Sequence, residues 1–179
     1  MTPLSTADIS ACGTYRWTLT RRWDERPMLL VVMFNPSTAD AVKPDPTITL
    51  LCQIAKHNGF GGIVVVNAVP LRSSKPAAAV AMANWQPPDW DDRDQLETNL
   101  AVIAREVSTA GAVLLAWGAL GERCQSWMDS ILGRIGEVLP RGSEIYCLAK
   151  TKAGHPKHPM ARGKHKVRPD AVLIPWSST

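Results

Sequence analysis

The sequence predicts one three-layer α/β/α domain with a central, mostly parallel four-stranded sheet and an extra strand at its N-terminal edge. Apolar runs of strand length alternate with segments of helical periodicity, in the order βαβαβαβ. The runs 28–34 and 63–66 are apolar at every position, which is typical of parallel strands that helices cover on both faces. The 179 residues have the length of a single domain and contain no evident linker or repeat.

The first half of the chain predicts an edge strand, a core strand and a helix. Residues 15–23 alternate bulky and polar side chains, which predicts an early strand at the sheet edge. The apolar run 28–34 predicts the first core strand. Asp45 and Pro46 are good starting residues for a helix, and Asn58-Gly59 predicts its end.

The second half predicts three more core strands, two helices and a short C-terminal strand. A stretch at 71–92 contains several prolines and an acidic cluster, and it predicts a long loop. The core strands are 63–66, 112–118 and 144–149, the helices are 93–109 and a segment through Leu120, Cys124, Trp127 and Ile131, and the last strand is 171–176.

Distinctive polar residues follow the ends of the predicted core strands. Asn35 follows the first strand, Asn67 the second, and His155 and His158 the fourth. Ligands of open α/β sheets bind beyond the carboxyl ends of the strands, so we expect a working site built around Asn35, Asn67 and His158. Each residue also has a structural interpretation. Asn35-Pro36 is typical of a turn, Asn67 could cap a loop, and loop histidines are common at surfaces.

A basic segment, residues 150–168, follows the fourth core strand and contains no Asp or Glu. The chain has a net charge of +4 and a pI near 9.0. A cluster of one sign beside a site predicts contacts with phosphates, although a solvated surface can show the same pattern. Its cations are Lys150, Lys152, Lys157, Arg162, Lys164, Lys166 and Arg168.

The cysteine spacing and the hydropathy argue against a metal site and a membrane span. The four cysteines, Cys12, Cys52, Cys124 and Cys147, lie far apart, whereas zinc and iron–sulfur sites usually need a close pair. We therefore expect no metal and no cofactor, with most thiols buried. There is neither an apolar signal region nor a run of ~20 apolar residues, which predicts a cytoplasmic protein with no membrane partner.

Several short motifs together carry a family resemblance that covers nearly the whole chain. The string MFNPSTAD at 33–40 and GHPKHPM at 154–160 resemble a bacterial and phage family with an NPSTAD signature. A more distant resemblance is to the uracil-DNA glycosylase superfamily. Asn35-Pro36 is similar to its first motif, VVVNAVP around Asn67 to its second strand end, LLAWG to its third strand, and His158-Pro159 to its last motif.

The resemblance implies a uracil-DNA glycosylase-like sheet and hydrolysis of the N-glycosidic bond of a damaged or modified pyrimidine flipped out of DNA. Asn35 would position water, Asp40 would be a general base, and His158 would stabilise the departing base. An amide is not basic enough to deprotonate water, which indicates a slow enzyme or a good leaving group. The implied base contacts are Asn67, Phe34, Pro36 and His155. The implied phosphate contacts are Ser37 and Thr38, together with the basic segment.

Two other functions fit the same residues. A nucleotide- or nucleoside-processing enzyme could use the strand-end pocket without the basic segment. A non-catalytic reader of nucleic acid or of a modified base could retain the pocket without the reaction. For all three we expect a monomer with no obligate protein partner. The glycosylase and the reader would both bind single- or double-stranded DNA. Their biological role would be DNA repair or defence against phage.

Overall fold

The computed structural model describes residues 4–37, 45–84 and 90–177, with the backbone alone at 90–92. The described residues form an α/β fold with a mixed sheet of seven strands and four α-helices. The strands are β1 (Leu4–Ile9), β2 (Arg16–Arg22), β3 (Met28–Met33), β4 (Gly62–Asn67), β5 (Ala112–Leu115), β6 (Glu144–Cys147) and β7 (Ile174–Pro175). The helices are α1 (Pro46–His57), α2 (Pro76–Ala83), α3 (Trp90–Val107) and α4 (Gln125–Val138), with 3₁₀ helices at Gly118–Cys124 and Gly163–His165.

The strand order is β1-β2-β4-β3-β5-β6-β7. The pairs β3–β4, β3–β5 and β5–β6 are parallel, whereas β1–β2, β2–β4 and β6–β7 are antiparallel. The chain runs from β3 to β4 on one side and then crosses to β5 on the other side of β3. This change of direction opens a crevice beyond the carboxyl end of β3, where ligands of open α/β sheets bind.

Two apolar clusters, one on each face of the sheet, explain why β3 is apolar at every position. Leu30 and Val32 of β3 pack with residues of α2, α3 and α4 in the first cluster. Leu29 and Val31 pack with residues of α1 in the second. Because side chains of a strand alternate between faces, a strand covered on both sides needs apolar residues at every position.

The early strand predicted at 15–23 exists as β2, but it does not lie at the sheet edge. β2 lies between β4 and β1, with Leu19 opposite Val65. The sheet is also larger than the predicted four strands plus one edge strand. β1 escaped prediction because its sequence, LSTADI, is mostly polar and its side chains are mostly exposed. Such a strand carries no burial pattern to recognise.

Two predicted segments differ in the structure. The loop expected at 71–92 contains α2, which begins with Pro76 in its first turn and buries Val80 and Met82. Its sequence, PAAAVAMA, has no polar face, so the amphipathic periodicity that usually reveals a helix is absent. The helix expected through Leu120 and Ile131 is divided into the 3₁₀ helix Gly118–Cys124 and α4.

Gly61 is the tightest point of the turn between α1 and β4. Its amide donates to the carbonyl of Pro27, and its carbonyl accepts from the amides of Trp23 and Asp24. A Cβ atom at this position would lie 2.5 Å from the carbonyl oxygen and 2.7 Å from the amide nitrogen of Arg26. The backbone segment that leads into β3 therefore leaves no room for a side chain.

We predict that Gly61→Ala destabilises the protein by about 1–3 kcal/mol, because the added methyl group displaces backbone rather than a flexible side chain. Gly111→Ala is the matched control. Gly111 also directly precedes a core strand, and a Cβ atom there would meet nothing within 4 Å. Urea unfolding should show a lower midpoint for the first variant and a change within about 0.5 kcal/mol for the second. Equal midpoints for the two variants would contradict this account of the turn.

Candidate functional site

A small cavity lies at the carboxyl ends of β3 and β4, on the face that α1 covers. Its volume is about 90 Å³. At roughly 30 Å³ per water molecule, this space corresponds to about three waters, so it suits one small ring rather than a whole nucleotide. We call it the strand-end cavity. It is lined by Arg16, Met33, Asn35, Ser37, Asp45, Thr47, Ile48, Val65, Asn67 and His158.

The side-chain amide of Asn67 is the least satisfied polar group of this cavity. The residue is 1% exposed. Among the residues that the structure describes, neither its Nδ2 nor its Oδ1 atom has a hydrogen-bond partner. Leaving a buried polar group unsatisfied costs about 1–3 kcal/mol, so this amide needs a ligand or water in the cavity. Asn67 presents one donor and one acceptor side by side.

Asn99 anchors the backbone that carries Asn67, and the sequence interpretation missed it. Its Nδ2 donates to the carbonyl of Asn67 at 2.8 Å and to that of Ala68 at 3.2 Å. Asn99 is fully buried in α3, on the same apolar side as Leu96 and Ile103. An amide within the apolar stripe of a predicted helix is a signal that could have identified this residue.

His158 enters the cavity as a neutral imidazole. Its Nδ1 accepts a hydrogen bond from the amide of Met160 at 3.0 Å, which leaves the ring proton on Nε2. Burial lowers the pKa of His158 below its ordinary value, and the negative charge of Asp45 offsets this only in part. At neutral pH the ring therefore offers an uncharged N–H donor.

Gly118 permits the close approach of His158 to the end of β5. Its φ is +75°, and a Cβ atom there would lie 2.8 Å from the Cβ of His158. The amide of Gly118 also donates to the carbonyl of Pro156 at 2.9 Å. The glycine of the AWG sequence thus positions the loop that carries His158.

Asn35 divides its amide between the turn and the cavity. Its Nδ2 donates to the carbonyl of Ser73 at 2.9 Å and to that of Pro36 at 3.1 Å. These hydrogen bonds agree with the turn interpretation of Asn35, and the residue also lines the strand-end cavity. The carbonyl oxygen Oδ1 is the part of the side chain that remains available to a ligand.

Asp45 caps α1 and contributes a carboxylate to the cavity. It accepts hydrogen bonds from the Ser37 hydroxyl and from the amides of Thr47 and Ile48. Burial alone would raise the pKa of Asp45, but these hydrogen bonds outweigh burial and hold the pKa below its ordinary value. The group is ionised at neutral pH and is a weak base.

Arg16 is a second residue that the sequence interpretation missed. It is 2% exposed, and its amide donates to the carbonyl of Pro70 at 3.0 Å. Because β2 runs antiparallel to β4, the first residue of β2 lies at the edge where β4 ends. The prediction considered only the carboxyl ends of parallel strands, so it passed over the start of an antiparallel neighbour.

Three predicted base contacts do not line the strand-end cavity. Phe34 is buried in the cluster on the opposite face of the sheet, because its side chain alternates with that of Met33. Pro36 is buried in the turn and accepts from Asn35 through its carbonyl. The Nδ1 of His155 accepts a hydrogen bond from Trp117 at 3.4 Å. Two further predicted residues, Thr38 and Asp40, lie outside the described residues.

The cations of the basic segment fall into two groups, those that contact a neighbouring residue and those that form no ion pair with a described residue. Lys150 donates to the carbonyl of Ser177 at 2.6 Å and lies over the ring of Trp176, and Arg168 pairs with Asp170 at 2.9 Å. The other five form no ion pair with any residue that the structure describes. They are Lys152, Lys157, Arg162, Lys164 and Lys166, of which all but the half-buried Lys157 are exposed.

The remaining predictions concern thiols, metals and membranes. The four cysteines are free: Cys124 and Cys147 are buried, Cys52 is half-buried and Cys12 is exposed. Within residues 4–37, 45–84 and 90–177, no three His, Cys, Asp or Glu side chains are grouped as metal ligands. No helix in the same ranges has the length and apolarity needed to cross a membrane.

Comparison with known proteins identifies a family. The family model described as "Protein of unknown function (DUF1643)" matches residues 16–160, which is most of the chain. The matched residues include Arg16, Asn35, Asn67 and His158 of the strand-end cavity. No curated protein and no solved structure matches the chain.

We predict that His158 is neutral at pH 7, with its proton on Nε2. Because its pKa in the folded protein lies below the ~6.5 of an unfolded histidine, unfolded chains bind more protons between these two values. The free energy of unfolding should therefore fall as the pH drops through that window. Long-range ¹H–¹⁵N NMR spectra should show the Nε2–H tautomer and a midpoint below about 6.5.

The His158→Gln variant lacks these NMR signals and so assigns them to His158. It is also the control for stability, because its free energy of unfolding should fall less than that of the wild-type protein over the same pH window. A titration midpoint of His158 at or above that of an exposed histidine would contradict its burial in the cavity. A proton on Nδ1 would contradict the hydrogen bond that Nδ1 accepts from Met160.

Proposed function

We propose that this protein, which belongs to the DUF1643 family, hydrolyses the N-glycosidic bond of a damaged or modified pyrimidine flipped out of DNA. The observation that carries the proposal is the amide of Asn67, which has no hydrogen-bond partner among the described residues and lies in a small cavity that His158 also lines. The parallel strand order β4-β3-β5-β6 supports the uracil-DNA glycosylase-like arrangement. In this arrangement the polar residues come from the ends of several strands.

Asn67 would read the edge of the flipped base. A pyrimidine presents hydrogen-bond donors and acceptors side by side on its Watson–Crick edge, and a primary amide complements one such pair with its oxygen and nitrogen. The strand-end cavity, at about 90 Å³, is close to the size of one ring and smaller than a nucleotide. The flipped base would thus be recognised by Asn67, while the rest of the nucleotide stays outside.

His158 would stabilise the departing base. The bond between the sugar C1′ and the base nitrogen breaks with both electrons passing to the base, which leaves an oxocarbenium-like sugar and an anionic base. The Nε2–H of a neutral imidazole can donate to a carbonyl oxygen of that base as its negative charge develops. Water then adds to C1′ and loses a proton, which the base or the solvent takes up.

Asn35 would position the water through its Oδ1 atom, because its Nδ2 is held by Ser73 and Pro36. The carboxylate in the cavity, Asp45, is a weak base since three hydrogen bonds stabilise its charge. Activation of water is therefore modest, and the reaction depends on the departing base. This favours a base whose substituents make it a good leaving group. Asp40, outside the described residues, remains the proposed general base.

A non-catalytic reader of modified bases is the second candidate. The observation that favours it is the absence of a strong base among the described residues of the cavity, where Asn35 is an uncharged amide and Asp45 is hydrogen-bonded. The reader would use the same contacts of Asn67 and His158 to bind a flipped base without cleaving it.

We predict that the purified protein releases free base from duplex or single-stranded DNA that contains a modified or deaminated pyrimidine. Mass spectrometry of the released base and of the abasic DNA measures this directly. Asn67→Leu and His158→Gln should each lower the release rate by about 10²–10³-fold, the usual effect of removing one preorganised donor. DNA affinity should change little, because backbone contacts dominate it.

Asn67→Leu also separates a ligand-binding role from a structural one. Replacing an unpartnered buried amide with an apolar group of similar shape should leave stability unchanged or raised. Asn58→Leu is the matched control, since both of its amide atoms are hydrogen-bonded to Ile54, Ala171 and Leu173. That variant should be less stable yet keep its cleavage chemistry. DNA binding without any base release would support the reader instead.

We predict that DNA binding weakens steeply with salt because the basic segment contacts phosphates. Lys164→Gln and Lys166→Gln should each reduce the slope of log affinity against log salt concentration by about 1. Arg134→Gln on α4 is the control, because Arg134 pairs with Glu137 at 2.9 Å. Fluorescence anisotropy between 50 and 200 mM salt measures the slopes. A slope unchanged in both lysine variants would remove the basic segment from the interface.

A further inference from the structure

We infer that Arg16 is a further catalytic residue, whose guanidinium contacts the departing base in the strand-end cavity and holds it as an anion. The catalytic part of this inference rests on the proposed function. The ligand class that follows from it, a planar ring with negative charge, is testable without DNA and without turnover.

The backbone of Arg16 places this residue at the strand-end cavity. It is the first residue of β2, and its amide donates to the carbonyl of Pro70, three residues beyond the end of β4. The side chain is 2% exposed and lines the same cavity as Asn67 and His158. A guanidinium at this position reaches a bound ring from the β2 side, away from the helix α1.

The cavity keeps Arg16 charged. Burial lowers the pKa of Arg16 to about 10, assisted by the positive charges of Arg72 and Arg21, while the carboxylate of Asp45 raises it. A pKa near 10 leaves the guanidinium protonated at neutral pH. A charged residue is rarely buried this fully unless it is paired, and the carboxylate of Asp45 acts on Arg16 within the cavity. Because Arg16 also lines the cavity, its charge can take a second role toward a bound ring.

The chemistry supplies that role. When the C1′–N bond breaks, both bonding electrons remain on the base, which becomes an anion inside the strand-end cavity. His158 contributes an uncharged donor, so it offers hydrogen bonding without a compensating charge. Arg16 adds the positive charge, and a preorganised cation is worth more in such a site than in water. The carboxylate of Asp45 balances Arg16 before the reaction and repels the anionic ring away from α1.

The test compares two free ligands that differ in charge. Barbiturate is a planar pyrimidine ring that is an anion at pH 7, and uracil is a neutral ring of similar shape. The wild-type protein should bind barbiturate more tightly than uracil by about tenfold or more, as expected for a charge-assisted hydrogen bond. Arg16→Gln should lose this preference. Arg22→Gln is the matched control, because Arg22 lies on the same strand, pairs with Glu25 and does not line the cavity.

Isothermal titration calorimetry and the shift in unfolding temperature measure both affinities. Arg16→Lys keeps the charge without the planar fork and should retain part of the preference. The Nε–H signal of Arg16 in the wild-type protein should shift on addition of barbiturate, which tests the contact even if Arg16→Gln does not fold.

Three results would overturn the inference. They are equal binding of the two rings by the wild-type protein, an unchanged preference in folded Arg16→Gln, and no shift of the Arg16 signal at saturating barbiturate. Base release from DNA, by contrast, tests only the proposed function. A protein that binds barbiturate through Arg16 and releases no base would retain the anion site and lose the glycosylase assignment.

Discussion

The organisation of this protein depends on one constraint, which is that polar groups buried at the end of β4 must find partners. The backbone carbonyl of Asn67 finds Asn99 of α3, and that of Ala68 finds both Asn99 and the indole of Trp127 on α4. The side-chain amide of Asn67 finds none among the described residues. The backbone is thus fixed by helices on one face, while the amide stays open to a ligand on the other.

The charge state or position of each ionisable group in the cavity is also set by the structural element around it. Asp45 is kept ionised by Ser37 and the first turn of α1, and Arg16 is kept in place by the backbone of Pro70. His158 is neutral because burial disfavours its charged form. The cavity therefore combines a cation, an anion and a neutral donor, each set by the element that carries it. Such preorganisation is what an enzyme needs where charge develops during the reaction.

The sequence predicted the parts of this fold that have a periodic pattern. The core strands, α1 and the convergence of Asn35, Asn67 and His158 could be predicted, because apolar runs and strand ends leave clear signals. The strand β1 and the helix α2 could not, since one is polar and the other apolar on all sides. Arg16 was missed for a topological reason. Its place depends on an antiparallel pairing between residues distant in sequence, which periodicity does not reveal.

The polar set of the cavity is accompanied by three apolar side chains, Met33, Ile48 and Val65. Under the proposed function, the polar residues would decide which chemical groups are bound, whereas these three would set how much room the ring has. Size and chemistry are therefore encoded at separate positions of one small site. Under the proposed function, substitutions at these apolar positions would widen or narrow the range of accepted bases without changing the residues proposed to bind them.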